Sequence, residues 1–380
     1  MTKLAAHIQE SSDAAAEHLR MALYPAIKCM GNVTPAWLRE KVLPEYDQCG
    51  VPRPFIWRRK WVDVDEQKGW VLEGIAGAHK FFERTAPEYD AWRGLTDVVE
   101  SVNEFIPWRE DDMRRLCEFE SELVRLFHLH GNRIIVGNFS VGWPQLEHWP
   151  FYSATLAHAD FLGLHEYAWP EGVAGDDGVA FLWHPWRVMR YKKARQVMLS
   201  HGMRLPPIIL TEIGWDRAVW QTGHTVHGFR GAPDPNAYYA WLTGYDARVI
   251  PDSDVLYTSV FQTGATADWR AKGFDIVGHY VGNCLADYTR VAALQHPQPP
   301  QSPIVPSTGK LTDAERARVR EFFATAVPAT LKDAIARGRE FVGEVPGSPN
   351  LYVSWDPAMA RYEINKVHPE LWTHLDDEPL

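Results

Sequence analysis

Three glutamates in this sequence come directly after apolar stretches that have the composition of buried strands. They are Glu104 after Asp97 to Val102, Glu166 after Asp160 to Leu164, and Glu212 after Ile208 to Leu210. A carboxylate at the end of a buried strand costs desolvation energy unless a partner compensates it. A pair of such groups suits acid–base and nucleophilic chemistry. A single one, Glu166 above all, can also be an ion-paired or capping residue.

The strands before these glutamates belong to a regular alternation of strands and helices. We predict eight strands, at Leu4 to Gln9, Pro25 to Met30, Pro54 to Trp57, Asp97 to Val102, Arg133 to Gly137, Asp160 to Leu164, Ile208 to Leu210 and Val255 to Phe261. Helical segments separate them, and the clearest is Asp111 to His130, whose apolar residues recur every three or four positions. This alternation predicts an α/β fold, a (β/α)8 TIM barrel over residues 1–295.

Three segments do not fit the regular pattern. The connection from Ile213 to Asp254 is long enough to hold a helix and a lid-like rim segment around His224 to Pro235. Residues 296–310 are rich in proline and are predicted to be a rim loop or linker. Residues 311–380 are expected to supply helices at Thr312 to Thr325 and Leu331 to Glu344 that close the outer ring, then a C-terminal extension.

Composition narrows the class of partner. The chain has 39 basic and 49 acidic residues, a net charge of −10, which disfavours nucleic acid and anionic lipid. It lacks an apolar run of membrane-spanning length and a signal-peptide pattern at its start, so we expect a soluble chain with no membrane partner. Its four cysteines form no CxxC pair, and no glycine-rich phosphate loop precedes a helix. We therefore predict no metal and no cofactor.

The 17 tryptophans, beside 14 tyrosines and 16 phenylalanines, are an unusual excess. Most single tryptophans serve packing. As a set, however, flat aromatic faces suit stacking on the apolar faces of sugar rings, while ring N–H and O–H groups bind hydroxyls at the rim. The excess favours a carbohydrate-binding cleft.

Glu104 and Glu212 are the candidate catalytic pair. In a barrel, the fourth and seventh strands lie on opposite sides of the mouth, so their terminal carboxylates can face each other. Retaining glycosidases need this arrangement, with carboxyl groups about 5–5.5 Å apart, because one attacks the anomeric carbon and the other protonates the leaving oxygen. The acid should lie in the drier setting and the nucleophile among hydrogen-bond donors, so that their pKa values differ.

With these residues the sequence resembles the retaining glycoside hydrolases of clan A, the 4/7 superfamily, over about residues 4 to 275. The likeness is carried by Val102-Asn103-Glu104, His165-Glu166-Tyr167, Thr211-Glu212-Ile213-Gly214-Trp215 and, less specifically, Phe261-Gln262-Thr263-Gly264 and Trp269. The resemblance implies that Glu104 is the acid/base and Glu212 the nucleophile. It also implies that Asn103 binds the sugar 2-hydroxyl, Tyr167 hydrogen-bonds Glu212, and Trp269 forms the floor under the reacting sugar.

Further candidate sugar contacts are His165, Glu166, Trp215, Asn138 and Arg58. The clan usually carries an arginine near the end of the second strand, where this chain has Lys28, and Arg58 ends the third strand. Arg58 or Lys60 could bind an anionic sugar if its side chain points inward.

The expected activity is therefore cleavage of β-glycosidic bonds in an oligo- or polysaccharide. One alternative is a catalytically silent carbohydrate-binding barrel, which would keep the aromatic residues but not both glutamates. Another is a metal-dependent barrel hydrolase, which should show His-x-His after the first strand, where this chain has only His7.

Overall fold

The computed structural model describes residues 2–169, 186–217 and 225–295, together with the backbone of four short strands after residue 342. The chain divides into two compact units, Met1–Pro300 and Gln301–Leu380. The predicted proline-rich linker and nearly all of the two predicted tail helices lie outside the described residues.

The first unit is a closed barrel of eight parallel strands in sequence order. The strands are β1 Leu4–Ile8, β2 Ala26–Cys29, β3 Phe55–Arg58, β4 Val98–Glu100, β5 Arg133–Phe139, β6 Phe161–Ala168, β7 Ile208–Trp215 and β8 Val255–Val260. Pairing of β1 with both β2 and β8 closes the sheet. The predicted (β/α)8 barrel is confirmed, and each of its strands lies where the sequence predicts one.

Helices connect the strands on the outside of the barrel. They are α1 Asp13–Ala22, α2 Pro35–Lys41, α3 Leu43–Cys49, α4 Val64–Leu72, α5 Ile75–Asp90, α6 Glu110–His130, α7 Ser153–His158, α8 Arg190–Ser200, α9 Ala237–Val249, α10 Ala267–Ala271 and α11 Tyr280–Gln295. α11 packs between the neighbouring helices of the ring: Thr289 Oγ1 donates to Ala22 O of α1 at 2.8 Å, and Tyr288 OH to Asp246 Oδ2 of α9 at 2.9 Å. α11 therefore joins α1 and α9 in the outer ring.

The barrel interior changes from apolar to polar along the strands. Its lower layer is an apolar cluster drawn from all eight strands: Ala5, Ala26, Phe55, Trp57, Val98, Ile135, Phe161, Ile209 and Tyr257. Because side chains alternate along a strand, the residues two positions further on also point inward. Many of these are polar and fully buried, namely His7, Lys28, Glu100, Thr211 and Ser259. The polar layer lies at the carboxyl ends, where the candidate glutamates were predicted.

β6 and β7 extend further than the sequence predicts, because they keep pairing through residues that look like loop. Leu164 pairs with Leu210, but His165 pairs with Glu212, so β7 holds one extra residue at Thr211. Such a bulge re-aims the side chains that follow it. As a result Glu212 lies level with His165 of the neighbouring strand.

The second unit contains a four-stranded antiparallel sheet in the order β12-β11-β10-β9. Its strands are β9 Gly343–Glu344, β10 Leu351–Asp356, β11 Arg361–His368 and β12 Leu371–His374. β10 includes the apolar–polar alternation seen in the sequence at Leu351 to Trp355. Glu344, predicted as the end of a helix, lies in β9.

Part of the predicted rim segment is described, from residue 225 onward, whereas His224 and residues 218–223 are not. Phe229 is buried and stacks on Tyr238 of α9 with ring centroids 4.8 Å apart. The amides of His227 and Gly228 donate to Lys272 O, both at 2.9 Å. This described part is packed against the loop after β8. None of the described helices combines the length and apolarity needed to span a bilayer.

Candidate active site

Glu104 lies in the loop after β4, at the mouth of the barrel. Its φ of 53° is in the left-handed region, which is uncommon for a residue with a side chain and is frequent at functional sites. Its amide donates to Asn138 O at 3.0 Å, which ties the loop to β5. Its carboxylate is 38% exposed and lies 2.9 Å from His165 Nδ1. The expectation that Glu104 lies in the drier setting is wrong, because the mouth is open above it.

Glu212 lies deeper, on β7, and both of its carboxylate oxygens have partners. Tyr167 OH donates to Oε2 at 2.8 Å, and Lys28 Nζ donates to Oε1 at 3.2 Å. His165 Nδ1 is 3.5 Å from Oε2, and Arg59 Nη1 is 3.9 Å from Oε1. The structure therefore shows Glu212 among donors, as the sequence predicts for a nucleophile.

These surroundings decide the ionisation of Glu212. Burial alone would raise its pKa, but nearby basic side chains lower the pKa well below its usual range. In order of effect they are His165, Lys28, His7 and Arg59, and of these Lys28 and Arg59 carry the fixed positive charges. Glu212 is therefore a carboxylate at any pH near neutrality, which is the state a nucleophile requires.

The two glutamates face each other across His165. One carboxylate oxygen of Glu104, one ring nitrogen of His165 and one carboxylate oxygen of Glu212 all lie within 4.8 Å of one another. A carboxylate oxygen of Glu104 is thus within 4.8 Å of one of Glu212. This proximity suits the carboxyl separation of about 5–5.5 Å in retaining glycosidases.

Asn103, next to Glu104, is held by Arg59, which follows β3, and by Gln67 of α4. Its Oδ1 accepts a hydrogen bond from Arg59 Nη1 at 2.7 Å, and its amide donates to Gln67 Oε1 at 2.9 Å. Arg59 is thereby shared between Asn103 and Glu212. The sequence did not single out Arg59, because the run Arg58-Arg59-Lys60 is typical of a solvated surface.

Lys28 lies near the end of the second strand, where the resemblance implies an arginine, and its ammonium group donates a hydrogen bond to Glu212. It is fully buried in β2, and Arg58 does not replace it. Arg58 Nε donates to Glu88 Oε1 at 3.0 Å, and its guanidinium stacks 5.0 Å from the centroid of the Trp92 ring. Alternation along β3 explains the difference, since Trp57 and Arg59 point inward and Arg58 points outward.

Phe261, the residue after β8, is buried beside Tyr167, the tyrosine that donates a hydrogen bond to Glu212. Phe261 packs edge-on against Tyr167, with ring centroids 5.8 Å apart, and against His7, with ring centroids 5.1 Å apart. The peptide bond between Phe261 and Gln262 is cis. Trp269 packs on Phe261 with ring centroids 5.2 Å apart, and Lys272 Nζ lies 4.6 Å from the centroid of the Trp269 ring.

Three other candidate sugar ligands point away from the mouth. Glu166 accepts from the amides of Met189 at 2.5 Å and Tyr191 at 3.0 Å, at the start of α8. Asn138 is fully buried, and its Nδ2 donates to Val102 O at 3.3 Å. Trp215 is buried against Tyr238 and Trp241 of α9. For Glu166 the reason is alternation along a strand that continues to Ala168, so that His165 and Tyr167 face inward.

Two aromatic regions lie in the loops that follow barrel strands. On the side of β1, β2, β3 and β8 a cavity of about 410 Å³ is lined by residues that include Met30, Arg58, Lys60, Trp61, Glu88 and Trp269. On the side of β4 and β5, the exposed Trp108 packs edge-on against Trp143 with ring centroids 4.6 Å apart. Trp61 is 54% exposed and Trp108 is 69% exposed, so both rings are accessible.

The Glu104, His165 and Glu212 cluster also has the ligand types that could hold a metal ion. The positively charged side chains around this cluster disfavour a bound metal ion. The ammonium group of Lys28 lies 3.2 Å from Glu212 Oε1, fully buried, and Arg59 is adjacent. A divalent cation would be repelled by two fixed positive charges with little solvent to screen them.

No family model matches the chain, and no curated protein matches its sequence. Solved structures similar to it include a monomeric beta-xylosidase from Caulobacter crescentus CB15, at 14% identity and a TM-score of 0.44, covering 76% of this chain and 68% of that one. The GH39 enzyme from Xanthomonas axonopodis pv. citri has 13% identity and a TM-score of 0.44, with 76% and 66% covered. A GH128 exo-beta-1,3-glucanase from Aureobasidium namibiae has 14% identity and a TM-score of 0.37, with 72% and 87% covered. Similarity at this level carries no argument about activity, which depends on the site itself.

Proposed function

We propose that this protein is a retaining glycoside hydrolase of the clan A type, which cleaves β-glycosidic bonds of an oligo- or polysaccharide by double displacement. The observation that carries the proposal is the pair formed by Glu104 and Glu212. Oxygens of the two carboxyl groups lie within 4.8 Å, and only Glu212 is surrounded by cations and donors. One carboxylate is thus kept ionised for attack, while the other is open to the cleft for proton transfer.

In the first step a Glu212 oxygen attacks the anomeric carbon. The bond from that carbon to the leaving oxygen breaks, and Glu104 gives its proton to the leaving oxygen. In the second step Glu104 takes a proton from water, the water oxygen attacks the anomeric carbon, and the electron pair of the ester bond returns to Glu212. His165 Nδ1 lies close to both carboxyl groups. It can therefore hydrogen-bond Glu212 before the attack and Glu104 once Glu212 is esterified.

The direction of a bound sugar chain follows from these roles. The leaving group must lie beside Glu104, on the side of β4 and β5, where Trp108 and Trp143 offer ring faces. The sugar that is attacked lies over Glu212 and extends away from Glu104, toward the cavity that contains Trp61 and Lys60. Contacts on both sides of the scissile bond favour a substrate of several sugar units.

The test is a pair of substitutions at the catalytic glutamates, assayed on a panel of activated aryl β-glycosides. Glu212→Gln removes the nucleophile but keeps its shape, so turnover should fall by a factor of about 10⁴ or more while sugar binding persists. Glu104→Ala should slow turnover and be partly rescued by azide, because azide needs no general base to intercept the glycosyl-enzyme.

The expected product of the azide reaction is a β-glycosyl azide, which shows net retention. Unchanged turnover in either variant would contradict the roles proposed for the two glutamates. An unaltered chain that binds sugars without cleaving them would instead support a silent carbohydrate-binding barrel. Activity that is abolished by a chelator and restored by a divalent metal would support the metal-dependent alternative.

A further inference from the structure

A third buried glutamate, Glu100 of β4, lies below the catalytic pair. It is fully buried, and its Oε1 accepts a hydrogen bond from Lys28 Nζ at 3.0 Å. Its Oε2 accepts from Trp57 Nε1 at 3.1 Å, and Arg59 Nε lies 3.8 Å from Oε1. Among the described contacts of this layer, Glu100 touches both cations that also approach Glu212.

The two cations therefore lie between two carboxylates. Lys28 Nζ is 3.0 Å from Glu100 and 3.2 Å from Glu212, and Arg59 is within 4.0 Å of both, at 3.8 and 3.9 Å. All four groups are buried, so water screens their charges poorly. With both carboxylates ionised, the two positive and two negative charges cancel.

The reaction disturbs this balance, because attack by Glu212 converts its carboxylate into a neutral ester. The four-group cluster then carries one net positive charge. Without Glu100 it would carry two, with Lys28 and Arg59 left facing each other in the barrel interior. Leaving a buried charge without its counter-ion costs far more free energy than losing a surface pair.

We propose that Glu100 is a positioning residue that acts as the counter-anion of the glycosyl-enzyme, holding Lys28 and Arg59 in place while Glu212 is esterified. This inference rests on the proposed function. The remaining groups around Glu212 do not replace Glu100. Burial and the Lys28 charge lower the pKa of His7 well below its usual range, so His7 is neutral, and His165 and Tyr167 approach the other oxygen, Oε2.

The proposal predicts opposite effects on the two chemical steps. In Glu100→Gln, formation of the ester leaves two uncompensated cations, so the first step slows. Breakdown of the ester restores a negative charge between those cations, so the second step accelerates. A variant that only loosened the geometry of the site would slow both steps.

The experiment uses the full chain and 2,4-dinitrophenyl 2-deoxy-2-fluoro-β-glycosides of glucose, xylose, mannose and galactose, which form long-lived glycosyl-enzymes with retaining hydrolases. Intact-protein mass spectrometry follows formation of the adduct and, after removal of the reagent, its loss. For Glu100→Gln we expect adduct formation to slow by about 100-fold and adduct loss to accelerate by about 10-fold.

Two further variants separate charge from folding. The double variant Lys28→Met/Glu100→Gln removes one charge of each sign, so its adduct should form faster than in Glu100→Gln alone. Asp246→Asn removes a buried carboxylate that binds Lys3 and Tyr288 at the amino-terminal end of the barrel, and it should leave both rates unchanged.

Two results for Glu100→Gln would overturn the proposal: both rates falling together, or neither rate changing. A double variant that forms its adduct more slowly than Glu100→Gln would also contradict the charge argument. If the unaltered chain forms no adduct with any of the four sugars, the proposed function fails, and this inference fails with it.

Discussion

Tyr167 and Tyr245 are two buried tyrosines that each donate a hydrogen bond to a glutamate. Only the Tyr167 hydrogen bond is made to a glutamate of the proposed active site. Tyr167 OH lies 2.8 Å from Glu212 Oε2, and Tyr245 OH lies 2.7 Å from Glu166 Oε2. The pair therefore allows the same chemical change to be made once inside the proposed active site and once outside it.

For Tyr167→Phe we expect kcat/KM on an aryl glycoside to fall by about 10- to 100-fold, because a donor that orients the carboxylate and holds its charge is lost. Tyr245→Phe should lower the thermal midpoint without changing kcat/KM. Steady-state kinetics and thermal unfolding of both variants check the prediction. Equal kinetic losses in the two would mean that the hydroxyl contributes through packing rather than at Glu212.

The residues of the site that the sequence reveals are those with a local signal. Glu104 and Glu212 follow apolar strand segments, and Asn103 and Tyr167 each lie one position from a predicted glutamate. Glu100 and Arg59 have no such signal, because one lies within a predicted strand and the other within a basic run. Their importance arises from contacts between β2, β3, β4 and β7, which a local pattern does not encode. Alternation along β3 is the one sequence signal that could have separated Arg59 from Arg58.

At the scale of elements, the two faces of β6 have different roles. Its inward face carries His165 and Tyr167 of the site, and its outward face carries Glu166, which binds the outer helices α8 and α9. Glu166 accepts from the amides of Met189 and Tyr191 at the start of α8 and from Tyr245 of α9. The first amides of a helix lack partners within it, so an acceptor there stabilises the helix start. Burial nevertheless raises the pKa of Glu166 from its usual value of 4.5 to about 7.

This raised pKa gives a direction for the pH dependence of stability. A carboxyl whose pKa is higher in the folded state contributes stability that is present below pH 4.5 and is lost as pH rises through about 7. Over that interval the loss amounts to at most about 3 kcal/mol. We therefore expect Glu166→Gln to be destabilising at pH 5 and less so at pH 8, as measured by urea unfolding.

Glu120 offers a comparison for this prediction, since burial raises its pKa to about 7 as well, and Glu120→Gln should show the same trend. The KM for aryl glycosides should not change in Glu166→Gln, because its carboxylate faces the helices. A destabilisation that is constant between pH 5 and pH 8, or a rise in KM, would show that this assignment of Glu166 is wrong.

The lengths of the elements are less predictable than their order. β6 and β7 continue to Ala168 and Trp215 because each keeps hydrogen-bonding to its neighbour, whereas the sequence after Leu164 and Leu210 has the polar composition of a loop. The bulge at Thr211 depends on the register between two strands and therefore has no signature in either strand alone.

At the scale of the whole molecule, the barrel is predictable because its pattern is repeated eight times. Each strand and its helices form a unit that buries apolar residues in the same way, so a misjudged boundary in one unit does not alter the fold. The tail has no such repetition. Its β10–β11 and β11–β12 pairings join segments that are adjacent in the sequence, yet only Leu351 to Trp355 shows the alternation of a strand.

The barrel unit should fold and act without the tail. α11 ends at Gln295 and packs against both α1 and α9, so we expect the outer ring to need no helix from residues 311–380. The residues proposed for catalysis, from Lys28 to Glu212, all lie within Met1–Pro300. We therefore expect a chain that ends at Pro300 to be monodisperse and to keep kcat/KM on an aryl monoglycoside within about three-fold of the full chain, since no catalytic contact is removed. Gel filtration, thermal unfolding and steady-state kinetics of the two chains make the comparison. Aggregation of the shortened chain, or loss of its cooperative unfolding, would show that the tail helices predicted from the sequence complete the barrel after all.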